Sequence, residues 1–204
     1  MKIRSILNNL ILSATTVALI ASCSGGKHDD HHGHDHEAEH ASGTTTEDAA
    51  GPQFEVAAEF QNQLANVFNS YVDLKDALVA SNAESAQAGA KETDEALANV
   101  DMKLLTGAAH NDWMTYLAPM QTALKEMQSA SDIEVQRQAF SDLSNNLYKS
   151  VKAFGLGGKE AFYEYCPMAF NDEGAYWLSD QEKIRNPYFG DKMLTCGMVK
   201  EKLK

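Results

Sequence analysis

Cysteine is scarce in this chain of 204 residues. There are three, and because Cys23 closes an N-terminal segment with features of its own, only Cys166 and Cys196 belong to the body of the protein. Basic charge is also short, with 17 Lys and Arg against 29 Asp and Glu and a formal net charge of −12. An acidic chain without a basic stripe is a poor partner for nucleic acid or anionic lipid and a reasonable one for cations. Catalytic signatures are missing: no nucleophile elbow, no phosphate loop, no His-Glu-x-x-His and no Cys-x-x-Cys. Beyond residue 40 the only histidine is His110, which leaves little room for a His-rich catalytic metal site. No pair of carboxylates stands out from solvated helix faces, so an enzyme is not expected.

Long apolar runs are missing as well. The longest, Leu10 to Ala21, is softened by Ser13, Thr15 and Thr16 and is too short for a membrane-spanning helix. With Lys2 and Arg4 ahead of it, it reads as a targeting segment over residues 1–22. Ile20-Ala21-Ser22-Cys23 resembles a bacterial lipobox, with Cys23 as the lipidated residue. The alternative is an ordinary signal peptide cut nearby. Acyl chains on Cys23 would anchor the protein to a membrane of the cell envelope, facing the periplasm or the exterior. Cleavage removes Lys2 and Arg4 and moves the charge from −12 to −14. Roughly 180 residues are left, enough for one domain with its own core.

Residues 23–53 read as a disordered linker. From Lys27 to Pro52 there is no aromatic or large aliphatic residue, so no core can form there. His28, His31, His32, His34, His36 and His40 alternate with aspartate and glutamate. Imidazoles in a flexible acidic tract capture borderline ions such as Zn(II) and Cu(II) with little geometric discrimination. A plain spacer holding the domain off the membrane is the simpler alternative, but a spacer needs no histidine.

Residues 54–204 are expected to form a mainly α domain. Phe60, Leu64, Val67, Phe68, Tyr71, Leu74 and Leu78 follow helical spacing. Ser81-Asn82-Ala83-Glu84 reads as a capping box opening an alanine-rich second helix that reaches Leu104. Gly107 precedes a third helix through Trp113, Leu117, Met120, Leu124 and Met127. Ser131-Asp132-Ile133-Glu134 opens a fourth, which ends at Gly155, Gly157 and Gly158. Short connections imply an antiparallel four-helix bundle. After Gly158, residues 161–166 and 175–178 have the aromatic weight of a β-hairpin, and 192–203 reads as a final short helix. This C-terminal appendage must pack on the bundle.

The appendage holds the two cysteines, each with a methionine close by. Strand geometry would turn Cys166 and Met168 to one face, and one helical turn would bring Met193 beside Cys196. Thiolates and thioethers are soft donors, and four converging sulfurs would select Cu(I) above all. On the third helix, His110 and Met114 share a face at i and i+4, near a helix start that disfavours imidazole protonation. Packing is the ordinary role of such a pair. The rival for Cys166 and Cys196 is a disulfide, whose loop closure would contribute about 3.6 kcal/mol on the chain-entropy estimate. Cysteine pairing is common in exported proteins, and both readings stay open.

Four runs carry a family resemblance: Tyr165-Cys166-Pro167-Met168-Ala169, Gly174-Ala175-Tyr176-Trp177-Leu178-Ser179, Asn186-Pro187-Tyr188-Phe189-Gly190 and Met193-Leu194-Thr195-Cys196-Gly197. Together they resemble a bacterial domain of unknown function, family 3347. The similarity extends back through Leu143-Ser144-Asn145-Asn146-Leu147-Tyr148, Val151-Lys152-Ala153-Phe154-Gly155 and Ala109-His110, from about residue 60 to the end. It implies a setting more than a mechanism. Such domains occur as exported proteins and as tails of periplasmic adaptor subunits in heavy-metal efflux systems, mainly copper-linked ones. It therefore raises the metal reading of the Cys-Met cluster to the level of the disulfide.

The sequence as a whole points to an exported lipoprotein that binds a transition metal, copper above all, for efflux or resistance, with an efflux adaptor as its partner. The alternative is an interaction module of the envelope that binds no metal and is braced by a Cys166–Cys196 disulfide. The anchor has a direct test. Cys23→Ser should abolish lipidation and move the protein from the membrane to the soluble periplasmic fraction; continued membrane association with unchanged migration would exclude the lipobox.

Overall fold

A computed structural model describes residues 51–204 together with a two-residue strand, β1, Glu47–Asp48. The targeting segment 1–22, Cys23 and the tail histidines His28, His31, His32, His34, His36 and His40 lie outside the described residues.

Four long helices follow: α1 Ala58–Val79, α2 Ala83–Ala98, α3 Gly107–Ser129 and α4 Ile133–Phe154. Each packs on the next, and α4 returns to α1, which is the expected bundle. The apolar positions read from the helical period are the buried ones: Phe60, Leu64, Phe68, Tyr71, Leu74 and Leu78 on α1, Phe140, Leu143 and Leu147 on α4. The small residues of α2 let it lie close to α1. A Cβ added at Gly89 would stand only 3.0 Å from Leu74 Cα. The caps sit one residue later than the serine-led boxes suggested. Asn82 Oδ1 accepts from Ser85 N at 3.0 Å, and Asp132 Oδ1 accepts from Glu134 N at 2.9 Å. The Asn82 amide and the Asp132 carboxylate reach the orphan N–H groups directly.

Two expectations are corrected. The second helix does not reach Leu104. It ends at Ala98, and Met102–Leu104 forms a separate 3₁₀ turn, so Val100 and Leu105 enter the core from a connection. The final helix over 192–203 is not formed either. Gly190–Lys192 is a short 3₁₀ turn, and Met198–Leu203 is a strand, β4. Met-Val-Lys-Glu-Lys-Leu has no strong strand composition. Its conformation is decided by the free edge of strand β2, Ala161–Cys166, with which it pairs antiparallel from Ala161↔Leu203 to Tyr165↔Met198. Tertiary pairing overrides a modest helical propensity.

The other side of β2 pairs antiparallel with β3, Ala175–Ser179, giving the order β1-β4-β2-β3. β1 runs parallel to β4 (Glu47↔Glu201), within the stretch that composition marks as linker. A sheet edge can recruit polar chain for its unpaired groups without needing a core. Between β2 and β3, Ala169–Asp172 makes a turn in which Phe170, Asn171 and Asp172 all have left-handed φ values of 53°, 57° and 69°. Among the described residues no helix is long and apolar enough to cross a membrane.

The sheet meets the bundle along its β3 edge. The outward Leu178 N–H donates to Tyr71 Oη of α1 at 3.1 Å, and Tyr188 Oη donates to the outward Tyr176 carbonyl. Tyr71 Oη also lies 2.7 Å from Ser144 Oγ of α4. The Tyr71 hydroxyl therefore ties α1, α4 and the sheet together, and burial raises its pKa well above the usual phenol value. Tyr71→Phe should leave the Leu178 N–H buried and unpaired, costing about 1–3 kcal/mol. Urea unfolding checks this: a lower midpoint at unchanged slope is expected, and an unchanged midpoint would show that the edge is not held there.

Candidate metal centre

Cys166 is the last residue of β2, fully buried and paired with Ala175 across the hairpin. Cys196 lies in the turn before β4 and is half-buried. Their sulfurs face each other at 3.1 Å as free thiols. The hydrogen bond to Cys166 and partial desolvation push the Cys196 thiol up to about 11, so it carries its proton at neutral pH.

The scaffold around Cys196 is built by Asn186, which is fully buried. Its Nδ2 donates to the Cys196 carbonyl at 2.7 Å, its backbone N to the Leu194 carbonyl at 2.8 Å, and its Oδ1 accepts from Tyr188 N at 2.8 Å. Arg137 of α4 fastens the same loop to the bundle: Nε donates to the Pro187 carbonyl at 2.9 Å, and Nη2 to Ser81 Oγ at 3.0 Å. Asn ahead of Pro was the signal for this loop available in the sequence, because an Asn side chain can satisfy backbone groups two residues on. Arg137 gave no signal beyond being a charge on a helix.

The methionines are placed differently from the expectation. Strand β2 stops at Cys166, so Met168 does not share the Cys166 face; it turns outward and is exposed. Met193 is linked to Cys196 by a turn, in which Cys196 N donates to the Met193 carbonyl at 3.0 Å, instead of by a helix. Both methionines line one cavity of about 460 Å³, together with Arg137, Phe170, Tyr188 and Lys192. The structure thus brings the two thiols into direct contact and places Met168 and Met193 together on the wall of one cavity.

His110 and Met114 do not join them. His110 is half-buried in the first turn of α3 and Met114 is exposed. Nearby Trp113 packs edge-on against Phe60 and Phe154, at the end of the bundle opposite Arg137. The distance along α4 from Phe154 to Arg137 is roughly 25 Å at 1.5 Å per residue. His110 with Met114 is therefore a separate pair. Among the described residues no three His, Cys, Asp or Glu side chains gather as a metal-binding group. The donors fit a soft monovalent ion, since two thiols and two thioethers offer no hard oxygen.

One buried group had no sequence signal. Glu164 lies on the central strand, fully buried, and neither carboxylate oxygen has a hydrogen-bond partner of good geometry. Burial pushes its carboxyl up to about 8. The ammonium of buried Lys75 and the Trp177 indole N–H pull it down, and Asp180 pushes it further up. Lys75 itself is 3.3 Å from Asp76 and 3.8 Å from Asp180.

The geometry defines a helical-bundle domain carrying a small sheet with a soft-donor cluster at one end. Residues 67–159 match the model of a family described as Protein of unknown function (DUF3347). The matched stretch includes His110 and most of α1 through α4 and ends before Cys166, so the sulfur motifs lie beyond it. No curated protein and no solved structure matches the chain.

The Glu164 environment sets a pH dependence. A carboxyl with a folded pKa near 8 against an ordinary 4.5 binds more protons folded than unfolded. Its contribution is fully present below about pH 4.5 and is lost as pH rises through 8, by up to roughly 5 kcal/mol. Glu164→Gln should flatten that decline and be more stable than wild type at pH 8.5. Chemical denaturation at pH 5, 7 and 8.5 checks it; parallel wild-type and variant curves would show that Glu164 is charged and compensated.

Proposed function

We propose that the protein is an exported lipoprotein that binds copper as Cu(I) and serves metal efflux or resistance in the cell envelope. The observation that supports this most is the meeting of Cys166 and Cys196 at 3.1 Å, with Met168 and Met193 together on the wall of one cavity. Two thiolates sharing a soft ion stand about 4 Å apart, judged from metal–sulfur bonds near 2.3 Å. The pair needs to open by about an ångström. Binding expels the two thiol protons, while the thioethers contribute without deprotonation. The histidine tail adds loose capture of Zn(II) or Cu(II), Cys23 supplies the membrane anchor, and a heavy-metal efflux adaptor is the partner that receives the ion.

A second reading rests on the same 3.1 Å contact. Joined as a disulfide, the cysteines would brace a small sheet on a bundle that acts as an interaction module and binds no metal.

The two separate on the methionines, which cannot form a disulfide. In the full chain with the six tail histidines changed to Ser, Met168→Leu with Met193→Leu should lower Cu(I) affinity by orders of magnitude. The substitutions conserve volume and should cost under about 1.5 kcal/mol per site. Competition titration against a Cu(I) chelator is the measurement, with thermal unfolding of the metal-free protein as control. Equal affinity in parent and variant would end the methionine role and leave the brace as the better reading.

A further inference from the structure

We propose that Cys166 and Cys196 form a redox gate on this site, holding Cu(I) as a dithiol pair and releasing it when they join as a disulfide. This rests on the copper reading above. The two cysteines differ in a way that suits reversible pairing. Cys166 is fully buried and held in the sheet through its pairing with Ala175, while Cys196 is half-buried on a turn at the surface. An exchanging disulfide can reach Cys196 first, and Cys166, already 3.1 Å away, closes the bond.

The turn is built to pass the change on. Gly197 follows Cys196 at a φ of 148°, and a Cβ there would stand 2.8 Å from the Trp177 ring and 3.0 Å from the Tyr165 carbonyl. The chain beyond Cys196 is thus wedged against the sheet. Asn186 grips the Cys196 and Leu194 carbonyls, and Cys196 N is bonded to the Met193 carbonyl. A change in sulfur separation, from about 4 Å around an ion to about 2 Å in a covalent bond, is therefore felt at Met193 on the cavity wall. Oxidation both withdraws two of the four soft donors and draws the turn inward.

The chemistry balances with a small disulfide as the oxidant. On binding, the two thiols give up two protons and their thiolates take the ion. On oxidation of the loaded pair, a small disulfide is reduced: its S–S bond breaks, one S–S bond forms between Cys166 and Cys196, the ion departs, and two small thiolates leave with the two electrons and take two protons from solvent.

The test uses the full chain with the six tail histidines changed to Ser, with Cu(I) and glutathione disulfide as the probes. Cu(I) competition titration is run on the reduced protein, on protein oxidised by glutathione disulfide, and on the oxidised protein after dithiothreitol. Thiol alkylation with mass spectrometry counts free cysteines in each. Affinity should fall by at least about a hundredfold on oxidation, because two donors are withdrawn, and should return on reduction. Bound Cu(I) should also protect both thiols from oxidation. Cys196→Ser cannot close the bond, so its weaker binding should be indifferent to glutathione disulfide once mixed disulfide on Cys166 is excluded by mass. Equal affinity in the reduced and oxidised forms, or failure of the disulfide to form, overturns the gate and leaves the copper site standing. No Cu(I) binding by the reduced protein overturns both.

Discussion

A sheet that docks on helices must dispose of its edge, and here β3 does so against tyrosine hydroxyls. Tyr71 satisfies the Leu178 N–H and Tyr188 satisfies the Tyr176 carbonyl, so an edge that would otherwise be an unpaired row of backbone groups becomes the joint. Because the joint is polar and directional, it specifies register as well as contact. A shift of one residue along β3 would present the wrong backbone groups to both hydroxyls. Since β2 is paired to β3 residue by residue, the position of Cys166 follows from that register.

The second cysteine is positioned by a different set of bonds. Arg137 reaches from α4 to the Pro187 carbonyl, and Asn186 then holds the turn that carries Cys196. One sulfur is thus delivered by the sheet and the other by a loop pinned to the bundle. Their meeting depends on both attachments being made to the same helices. This makes the site sensitive to the packing of α1 on α4, where Tyr71 and Phe140 stack with ring centroids 5.0 Å apart.

The two faces of the sheet have opposite characters. One carries Tyr163, Tyr165 and Tyr176 in a half-buried stack that Tyr148 of α4 extends at 3.7 Å. There Tyr148 Oη and Lys152 Nζ both donate to Glu201, a polar rim on an aromatic wall. The other face buries Glu164 beside Trp177, two residues along the strand from Cys166. A buried carboxyl without a good partner is expensive to keep, so the sulfur end of the sheet sits in a region where packing has not been optimised for stability alone.

Much of the bundle was legible in the sequence, because an amphipathic helix announces its buried face through spacing: Phe60 to Leu78 and Phe140 to Phe154 needed no tertiary information. The aromatic β2 and β3 strands were legible for a similar reason, as was the soft-donor character of the Cys-Met runs, which depends only on side-chain chemistry. The conformation of 198–203 was not. Its residues tolerate helix or strand, and the free edge of β2 chose. Nor could spacing show that Met168 leaves the Cys166 face, since that depends on where β2 stops, or that His110 lies at the far end of the bundle, since that depends on helix order in space. Glu164, Asn186 and Arg137 look like ordinary polar residues in the chain. Sequence by itself determined which residues bury and which atoms can bind a soft ion; tertiary structure alone decided which of those atoms meet, because a contact between Cys166 and Cys196 is made by elements that know of each other only after they fold.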